Sequence, residues 1–144
     1  MHVSMEFAHK FLQAYGMQCQ TLCQKLRIPQ TAFDILLFLA NNPDCDTARD
    51  IVEVRGIKAN LVSVNVDKLV RDGYLDRMTV PGDRRKIRLV CTEKAQSIIE
   101  EGRRLQAAFL EDIFRGVDEE AMQEFCRVIE MVKGNLDRKI GGCE

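Results

Sequence analysis

The sequence predicts a mostly α-helical protein of the α+β class, in which one two-stranded hairpin interrupts a series of helices. Three observations predict this fold. Apolar residues repeat at helical spacing over most of the chain, a short central stretch alternates as strands do, and the outermost helices carry wide apolar faces. With 144 residues, of which 46% are hydrophobic, the chain is long enough for one domain with its own core.

The N-terminal part of the chain is predicted to form two helices. Over residues 4–26, apolar side chains recur at every fourth position: Phe7, Phe11, Tyr15, Cys19 and Cys23. This row favours one long helix. Pro29 ends that helix and starts the next. The second helix, over residues 30–40, is apolar nearly all round and is therefore expected to be buried.

Two further helices follow in the central part. Thr47 and Asp50 have the spacing of an N-cap pair for a short third helix, and Gly56 is expected to end it. The fourth helix is predicted over residues 58–72. Gly73 closes this helix, because glycine adopts the left-handed conformation that ends many helices.

The periodicity of the apolar residues then changes from that of a helix to that of a strand and back. Strands are predicted over residues 74–79 and 86–91, with apolar residues at every second position of the second strand. Thr92 is expected to cap a fifth helix that reaches about residue 114. Asp118 is expected to cap a sixth helix that ends near Asn135.

This order of elements is that of a winged helix-turn-helix, in which the hairpin is the wing. Residues 29–99 are predicted to form the DNA-binding core of a single domain. The long helices of residues 1–28 and 100–144 are too apolar for one small core, so they are predicted to form the interface of a homodimer.

Charge is unevenly distributed along the chain, whose net charge is −1. Residues 47–92 hold ten basic and six acidic residues and carry +4, and the remainder carries −5. A basic central segment between acidic terminal segments is typical of a nucleic-acid-binding segment that is flanked by helices with a different role. Ordinary surface variation is the alternative interpretation of the charge alone.

The fourth helix has the polarity expected of a helix that reads DNA. Val62, Val66, Leu69 and Val70 share one side and are expected to pack inward, while the other side is polar and basic. The candidate DNA-contacting residues are Lys58, Asn60, Leu61, Ser63, Val64, Lys68 and Arg71.

Their side chains suggest individual roles. Asn60 is expected to pair with adenine, Ser63 with a base or a phosphate, and Lys68 and Arg71 with phosphates. Leu61 or Val64 is expected to contact a thymine methyl group. An ordinary solvated amphipathic helix is the other interpretation of this pattern.

The predicted turn of the hairpin, residues 81–85, is longer than a two-residue turn requires. Three consecutive basic residues, Arg84, Arg85 and Lys86, lie at this tip, where there is no hydrophobic core for them to pack against. Arginines on a protruding hairpin can enter a narrow minor groove. Asp83 is expected to hold an arginine through a bidentate ion pair. A solvated turn is the alternative.

Missing signatures exclude several functions. Neither a Gly-rich phosphate loop nor a hydrolase motif is present, so neither an enzyme nor a cofactor is predicted. The six cysteines include no C-x-x-C pair, and the only histidines are His2 and His9, so no metal site is predicted. The sequence shows neither a signal peptide nor a membrane span, and a cytoplasmic protein with reduced cysteines is expected.

Three stretches of the central part resemble the MarR family of bacterial regulators. They are Leu69-Val-Arg-Asp-Gly-Tyr-Leu75 followed by Arg77, then Pro81-Gly-Asp-Arg-Arg85, then Leu89-Val-Cys-Thr-Glu-Lys94. The resemblance implies a homodimer that binds a pseudo-palindromic, double-stranded operator DNA, usually as a repressor released by a small ligand or an oxidant. It also implies that Asp83 and Arg85 are the wing pair, with Arg85 in the minor groove.

The sequence departs from the family pattern at three positions. Cys91 stands in place of an aliphatic residue, and Ala95 in place of glycine. Val64 lies on the fourth helix, which is the recognition helix of the family, at a position where family members often have arginine. The resemblance therefore does not predict the operator sequence.

The resemblance also places a pocket for a small-molecule effector between the winged domain and the dimerisation helices. Candidate residues for this pocket are Tyr15, Cys19, Cys23, Phe33 and Leu37. Cys19 and Cys23 lie one helical turn apart and form a candidate redox or metal sensor. Buried, unreactive thiols are the alternative. A protein–protein adaptor that uses the wing as a docking edge is a further alternative function.

Overall fold

The computed structural model of the chain describes residues 5–141. It confirms a mostly helical fold with one two-stranded antiparallel sheet. Residue 4, where the first helix was expected to begin, and Cys143 in the C-terminal tail lie outside this range. No helix within residues 5–141 is long and apolar enough to cross a membrane.

Within residues 5–141, ten elements follow one another. The longer helices are α1 (Met5–Leu26), α2 (Gln30–Asn41), α4 (Ala59–Arg71), α5 (Gln96–Ile113) and α6 (Glu119–Gly141). The short elements are α3 (Ala48–Asp50), a π-helical turn (Ile51–Arg55), strands β1 (Leu75–Val80) and β2 (Asp83–Cys91), and a 3-10 turn (Glu93–Ala95).

The described chain divides into two compact units, one ending at Phe109 and the other beginning at Leu110. The first unit therefore contains α1 to β2 and most of α5, and the second contains α6. The predicted boundaries at residues 28 and 100 stay a prediction, because this division concerns compactness and says nothing about which helices contact a partner.

Helix α2 is the centre of the core of the first unit, as its apolar sequence predicts. Seven of its twelve residues are buried, among them Phe33, Ile35 and Leu36, which are fully buried. Side chains from all neighbouring elements surround it, including Ile51, Val62, Val66, Leu69, Leu75, Leu89 and Ile99. Burial of a large aliphatic or aromatic side chain stabilises a fold by about 1.5–3 kcal/mol.

Two of the predicted helix caps are confirmed. The Asp50 backbone N–H donates to Thr47 Oγ1 at 3.1 Å, and the Thr47 backbone N–H donates to Asp50 Oδ2 at 3.0 Å, which is a complete capping box. The Ala121 backbone N–H donates to Asp118 Oδ1 at 2.8 Å at the start of α6. The third helix differs from the prediction, because only three α-helical residues precede the π-helical turn that ends at Gly56 (φ 79°).

Other predicted helix ends are wrong. Thr92 makes no capping bond, since its hydroxyl donates instead to the Gly73 carbonyl oxygen at 2.6 Å, and a 3-10 turn precedes α5. Helix α6 continues six residues past Asn135, to Gly141. Gly134 and Asn135 are weak helix formers, but the leucine, arginine and lysine that follow them are strong ones and extend the helix.

The hairpin also differs from the prediction, because β2 begins at Asp83 and leaves only Pro81 and Gly82 as the turn. Gly82 has φ 85°, which glycine adopts readily in a tight turn. The pairing runs from Leu75 opposite Cys91 to Thr79 opposite Ile87. The expected five-residue loop is therefore mostly strand.

Helix α1 ends in a turn that is unusual for its residue type. Arg27 has φ 55°, in the left-handed region where glycine is the common residue. The Ile28 N–H donates to the Cys23 carbonyl oxygen at 3.1 Å and the Arg27 N–H to that of Gln24 at 3.3 Å, which is the pattern of a Schellman motif. A residue with a side chain in this conformation costs about 1–2 kcal/mol.

Gly102 marks the close approach of α5 to α2. A Cβ atom at this position would lie 2.7–2.9 Å from three side-chain atoms of Leu37, which is itself buried. We expect Gly102→Val to lower the free energy of unfolding by about 1–3 kcal/mol, because the packed core leaves Leu37 little room to move. Gly134→Val is the control, since no atom lies within 4 Å of a Cβ there. Chemical denaturation of both variants measures the difference, and equal stability would contradict this packing.

Helix α6 in the second unit has no buried residue in the single chain. Its exposed apolar side chains are Phe125, Val128, Ile129, Met131, Val132, Leu136 and Ile140. Phe125 also contacts Phe114, with ring centroids 5.1 Å apart. An apolar face of this size is unusual on a monomer.

Candidate nucleic-acid interface

Helix α4 buries one face and exposes the other, as its sequence predicts. Val62, Val66 and Leu69 are at most 4% exposed, and Val70 is half-buried. Every candidate DNA-contacting residue of this helix and of its N-cap is exposed: Lys58, Asn60, Leu61, Ser63, Val64, Lys68 and Arg71. Val64 is 66% exposed, which is unfavourable for a valine in water and available for contact with a base.

Asp67, the acidic residue on this exposed face, is already paired. Its carboxylate forms an ion pair with the Arg77 guanidinium of β1. This contact joins the recognition helix to the wing and neutralises a negative charge that would repel DNA. Sequence patterns did not reveal it, because ten residues and a turn separate the two partners.

The basic residues of the wing lie in an irregular part of the hairpin. Val80 pairs with Asp83 and Thr79 pairs with Ile87, so the register shifts and three residues of β2 have no partner on β1. These residues are Arg84, Arg85 and Lys86. A bulge re-aims the side chains that it contains and strengthens the local twist. All three side chains are exposed.

Asp83 contacts Arg85 in a different way from the one predicted. Asp83 Oδ1 accepts a hydrogen bond from the Arg85 backbone N–H at 3.0 Å, and no ion pair joins the two side chains. The expected bidentate ion pair is therefore wrong. Asp and Asn often hydrogen-bond the backbone two residues on, and this local turn leaves the guanidinium free.

The base of the wing is fastened to the loop before α3. Arg88 Nε donates to Asp46 Oδ2 at 2.6 Å, and the Leu89 backbone N–H donates to the Asp46 carbonyl oxygen at 2.7 Å. The carboxylate of Asp46 is mostly buried, which strengthens the ion pair relative to a fully exposed one. The sequence did not predict this role of Asp46, because the residue lies in a predicted loop and has no motif around it.

The end of α4 is held by residues of the stretches that resemble the MarR pattern. Gly73 (φ 83°) ends the helix in a Schellman motif, with the Tyr74 N–H donating to the Leu69 carbonyl oxygen at 2.8 Å. Lys94 Nζ donates to the Asp72 carbonyl oxygen at 2.7 Å and lies 4.5 Å from the centre of the Tyr74 ring. These residues therefore support the recognition helix structurally.

Six cations of α4 and the wing have no ion-pair partner within residues 5–141: Lys58, Lys68, Arg71, Arg84, Arg85 and Lys86. The acidic residue of α4, Asp67, is paired with Arg77, and the acidic residue at the tip of the wing, Asp83, accepts from a backbone amide. Unpaired Lys and Arg side chains release counterions when they bind phosphates, which gives affinity for DNA. This surface is suited to bind a polyanion.

The predicted effector residues lie in the core of the first unit. Cys19, Cys23, Phe33 and Leu37 are at most 5% exposed, and Tyr15 packs against them. The Tyr15 hydroxyl accepts a hydrogen bond from Gln106 Nε2 at 3.0 Å, and burial raises the pKa of Tyr15 to about 12. An effector pocket at these residues stays a prediction.

The two thiols of the candidate sensor are poor nucleophiles. Burial, with Cys19 and Asp34 nearby, raises the pKa of Cys23 to about 11, and burial likewise raises the pKa of Cys19. Because the thiolate is the reactive form, both thiols react slowly below their pKa and faster as pH rises toward it.

We therefore expect Cys19 and Cys23 to be alkylated by iodoacetamide at pH 7.5 much more slowly than a free thiol, N-acetylcysteine, in the same sample. Mass spectrometry at several times measures the three rates. Alkylation of Cys19 or Cys23 as fast as that of the free thiol would support the thiol sensor.

A basic recognition helix followed by a basic two-stranded hairpin defines the winged helix-turn-helix class. Residues 27–86, from the end of α1 to the basic residues of β2, match the model of the MarR family. This segment of the chain is therefore similar to the MarR family, and the fold of the described chain is that of a winged-helix protein. No curated protein matches the chain in sequence.

Solved structures of this fold are similar over nearly the whole chain. The transcriptional regulator PA3341 has 24% identity and a TM-score of 0.80, with 92% of this chain and 97% of that chain covered. A putative MarR family transcriptional regulator from Listeria monocytogenes, complexed with a 26mer DNA, has 16% identity and a TM-score of 0.84, with 97% and 93% covered. An uncharacterised SlyA-like transcription regulator from Listeria monocytogenes has 16% identity and a TM-score of 0.82, over the same shares.

Proposed function

We propose that the protein is a sequence-specific, DNA-binding transcriptional regulator. The observation that carries this proposal is the set of six unpaired cations on α4 and the wing, where the carboxylate of α4 (Asp67) and that of the wing tip (Asp83) are already engaged. Asn60 and Ser63 on α4 read base edges in the major groove, and Arg85 on the wing enters the minor groove. Lys68 and Arg71 bind phosphates and contribute affinity rather than sequence preference.

The DNA complex of the Listeria monocytogenes regulator supports this proposal, because that protein binds DNA with the same fold. At 16% identity it supports the mode of binding and not the operator sequence. Val64, at a position that is often arginine in the family, gives this chain its own base contacts. The operator is therefore expected to differ from those of relatives that have arginine there.

The active form is proposed to be a homodimer on a pseudo-palindromic operator. The exposed apolar face of α6 supports this, because a second copy of the same face would cover it. Two recognition helices then read half-sites about 34–36 Å apart. A cytoplasmic repressor that releases DNA when a small molecule binds follows from the resemblance to the family.

The test is a gel shift with the DNA upstream of the protein's own gene, against an unrelated fragment of equal length, at several salt concentrations. We expect tighter binding to the upstream fragment and a strong fall in affinity with salt. Footprinting then locates the operator and its symmetry. An adaptor that uses the wing to dock proteins predicts no salt-dependent affinity for DNA, and that result would reject the proposal.

A further inference from the structure

A cleft of about 550 Å³ lies where α1 gives way to α2, beside the recognition helix. The residues that line it come from the last turns of α1, the connecting turn, the start of α2 and one position of α4. They are Gln20, Cys23, Gln24, Arg27, Ile28, Pro29, Gln30 and Lys68. Lys68 belongs to the exposed face of α4, so the cleft continues the proposed DNA-binding surface away from the wing.

The side chains of this cleft are suited to an anion. Arg27 and Lys68 are cations, and no acidic residue lines the cleft. Within the described part of the chain, neither cation forms an ion pair or a side-chain hydrogen bond, and the amides of Gln20, Gln24 and Gln30 are equally uncommitted. Two exposed cations surrounded by neutral amide donors complement a phosphate group, and they lie beside the helix that is proposed to read DNA.

The backbone at Arg27 supplies a second, independent argument. This residue adopts φ 55°, a conformation that is sterically disfavoured for residues with a side chain and unstrained for glycine. Residues held in such conformations cluster at functional sites, where the interactions that the side chain makes with a ligand compensate for the backbone strain. Within the described chain, the guanidinium of Arg27 forms no ion pair or hydrogen bond that would offset the strain.

We propose that Arg27 and Lys68 together bind one phosphate group of the DNA backbone, so that the turn between α1 and α2 is part of the DNA interface. The inference rests on the proposed function. It adds a contact that lies outside both the recognition helix and the wing. It also makes Lys68 a backbone-positioning residue whose partner comes from the end of α1.

Arg27→Gly tests the proposal, because it removes the guanidinium while favouring the turn. We expect a melting temperature higher by a few degrees, together with operator affinity about three- to tenfold weaker. The slope of log Kd against log salt concentration should fall by less than about 0.9 per chain, because Lys68 still neutralises the shared phosphate, and by about 0.9 when both cations are removed. Arg27→Lys should retain most of the affinity, and Lys25→Ala, which removes an exposed charge outside the cleft, should change neither quantity.

A double variant separates shared from independent contacts. If Arg27 and Lys68 bind one phosphate, Arg27→Gly with Lys68→Ala should weaken binding by less than the product of the two single effects. An operator affinity and a salt slope for Arg27→Gly equal to those of the wild type would overturn the inference while leaving the proposed function intact. Absence of DNA binding by the wild type itself would overturn both.

Discussion

Replacing Arg85 with alanine is expected to weaken operator binding by about 5- to 150-fold, the equivalent of about 1–3 kcal/mol. Arg85 lies in the bulge of β2, is exposed, and has its backbone fixed by Asp83, so its guanidinium projects from the wing without an internal partner. An arginine in a narrow minor groove makes a charge-assisted contact that alanine cannot replace. Fluorescence anisotropy with labelled operator measures the loss.

Three further variants show what Arg85 depends on. Arg104→Ala removes an exposed positive charge from α5 and should change affinity little. Asp83→Ala removes the acceptor for the Arg85 backbone N–H and should weaken binding although it removes a negative charge. Asp83→Asn retains an oxygen acceptor and should bind at least as well as the wild type. Tighter binding by Asp83→Ala would show that Asp83 does not position Arg85.

The double substitution of Ile129 and Leu136 by glutamate is expected to convert the protein to a monomer. Both side chains belong to the exposed apolar face of α6, and a carboxylate buried in an apolar interface carries a large desolvation cost. Loss of the second half-site contact should then weaken operator binding by about 100-fold or more. Sedimentation velocity and anisotropy on the same samples measure both effects.

The control for this experiment lies on the other side of the helix. Gln123→Glu adds one negative charge at an exposed position about 120–140° away from Ile129 and Leu136 on the helical wheel. This variant should sediment and bind DNA as the wild type does. A wild-type chain that is a stable monomer at micromolar concentration would contradict the proposed dimer directly.

The features that the sequence predicts well are local ones. Periodic apolar residues, the Thr47 and Asp50 capping box, and the helix-ending glycines Gly56 and Gly73 act within one or two turns, so their effect can be inferred without knowing the rest of the fold. The exposed face of α4 follows from the same periodicity. Since Val62, Val66 and Leu69 pack inward, the polar residues between them necessarily face outward.

The features that the sequence did not predict depend on partners distant along the chain. The Asp46–Arg88 and Asp67–Arg77 ion pairs join elements that meet only after the wing has folded. The register of the hairpin was wrong because β2 carries three more residues than β1 between paired positions, and neither strand alone reveals that excess. Arg27 was missed because an arginine gives no sign of a left-handed turn.

Hydrogen bonds fasten the residues that follow α4 to the residues that precede α5, so we expect the two helices to move together. Three hydrogen bonds join them, from the Thr92 hydroxyl, the Thr92 backbone N–H and the Lys94 ammonium to carbonyl oxygens of residues 72–74. Helix α5 is about 27 Å long and acts as a lever. We expect that a molecule that tilts α5 also displaces α4 without touching it, so that the proposed DNA affinity would be adjustable from a site well away from DNA.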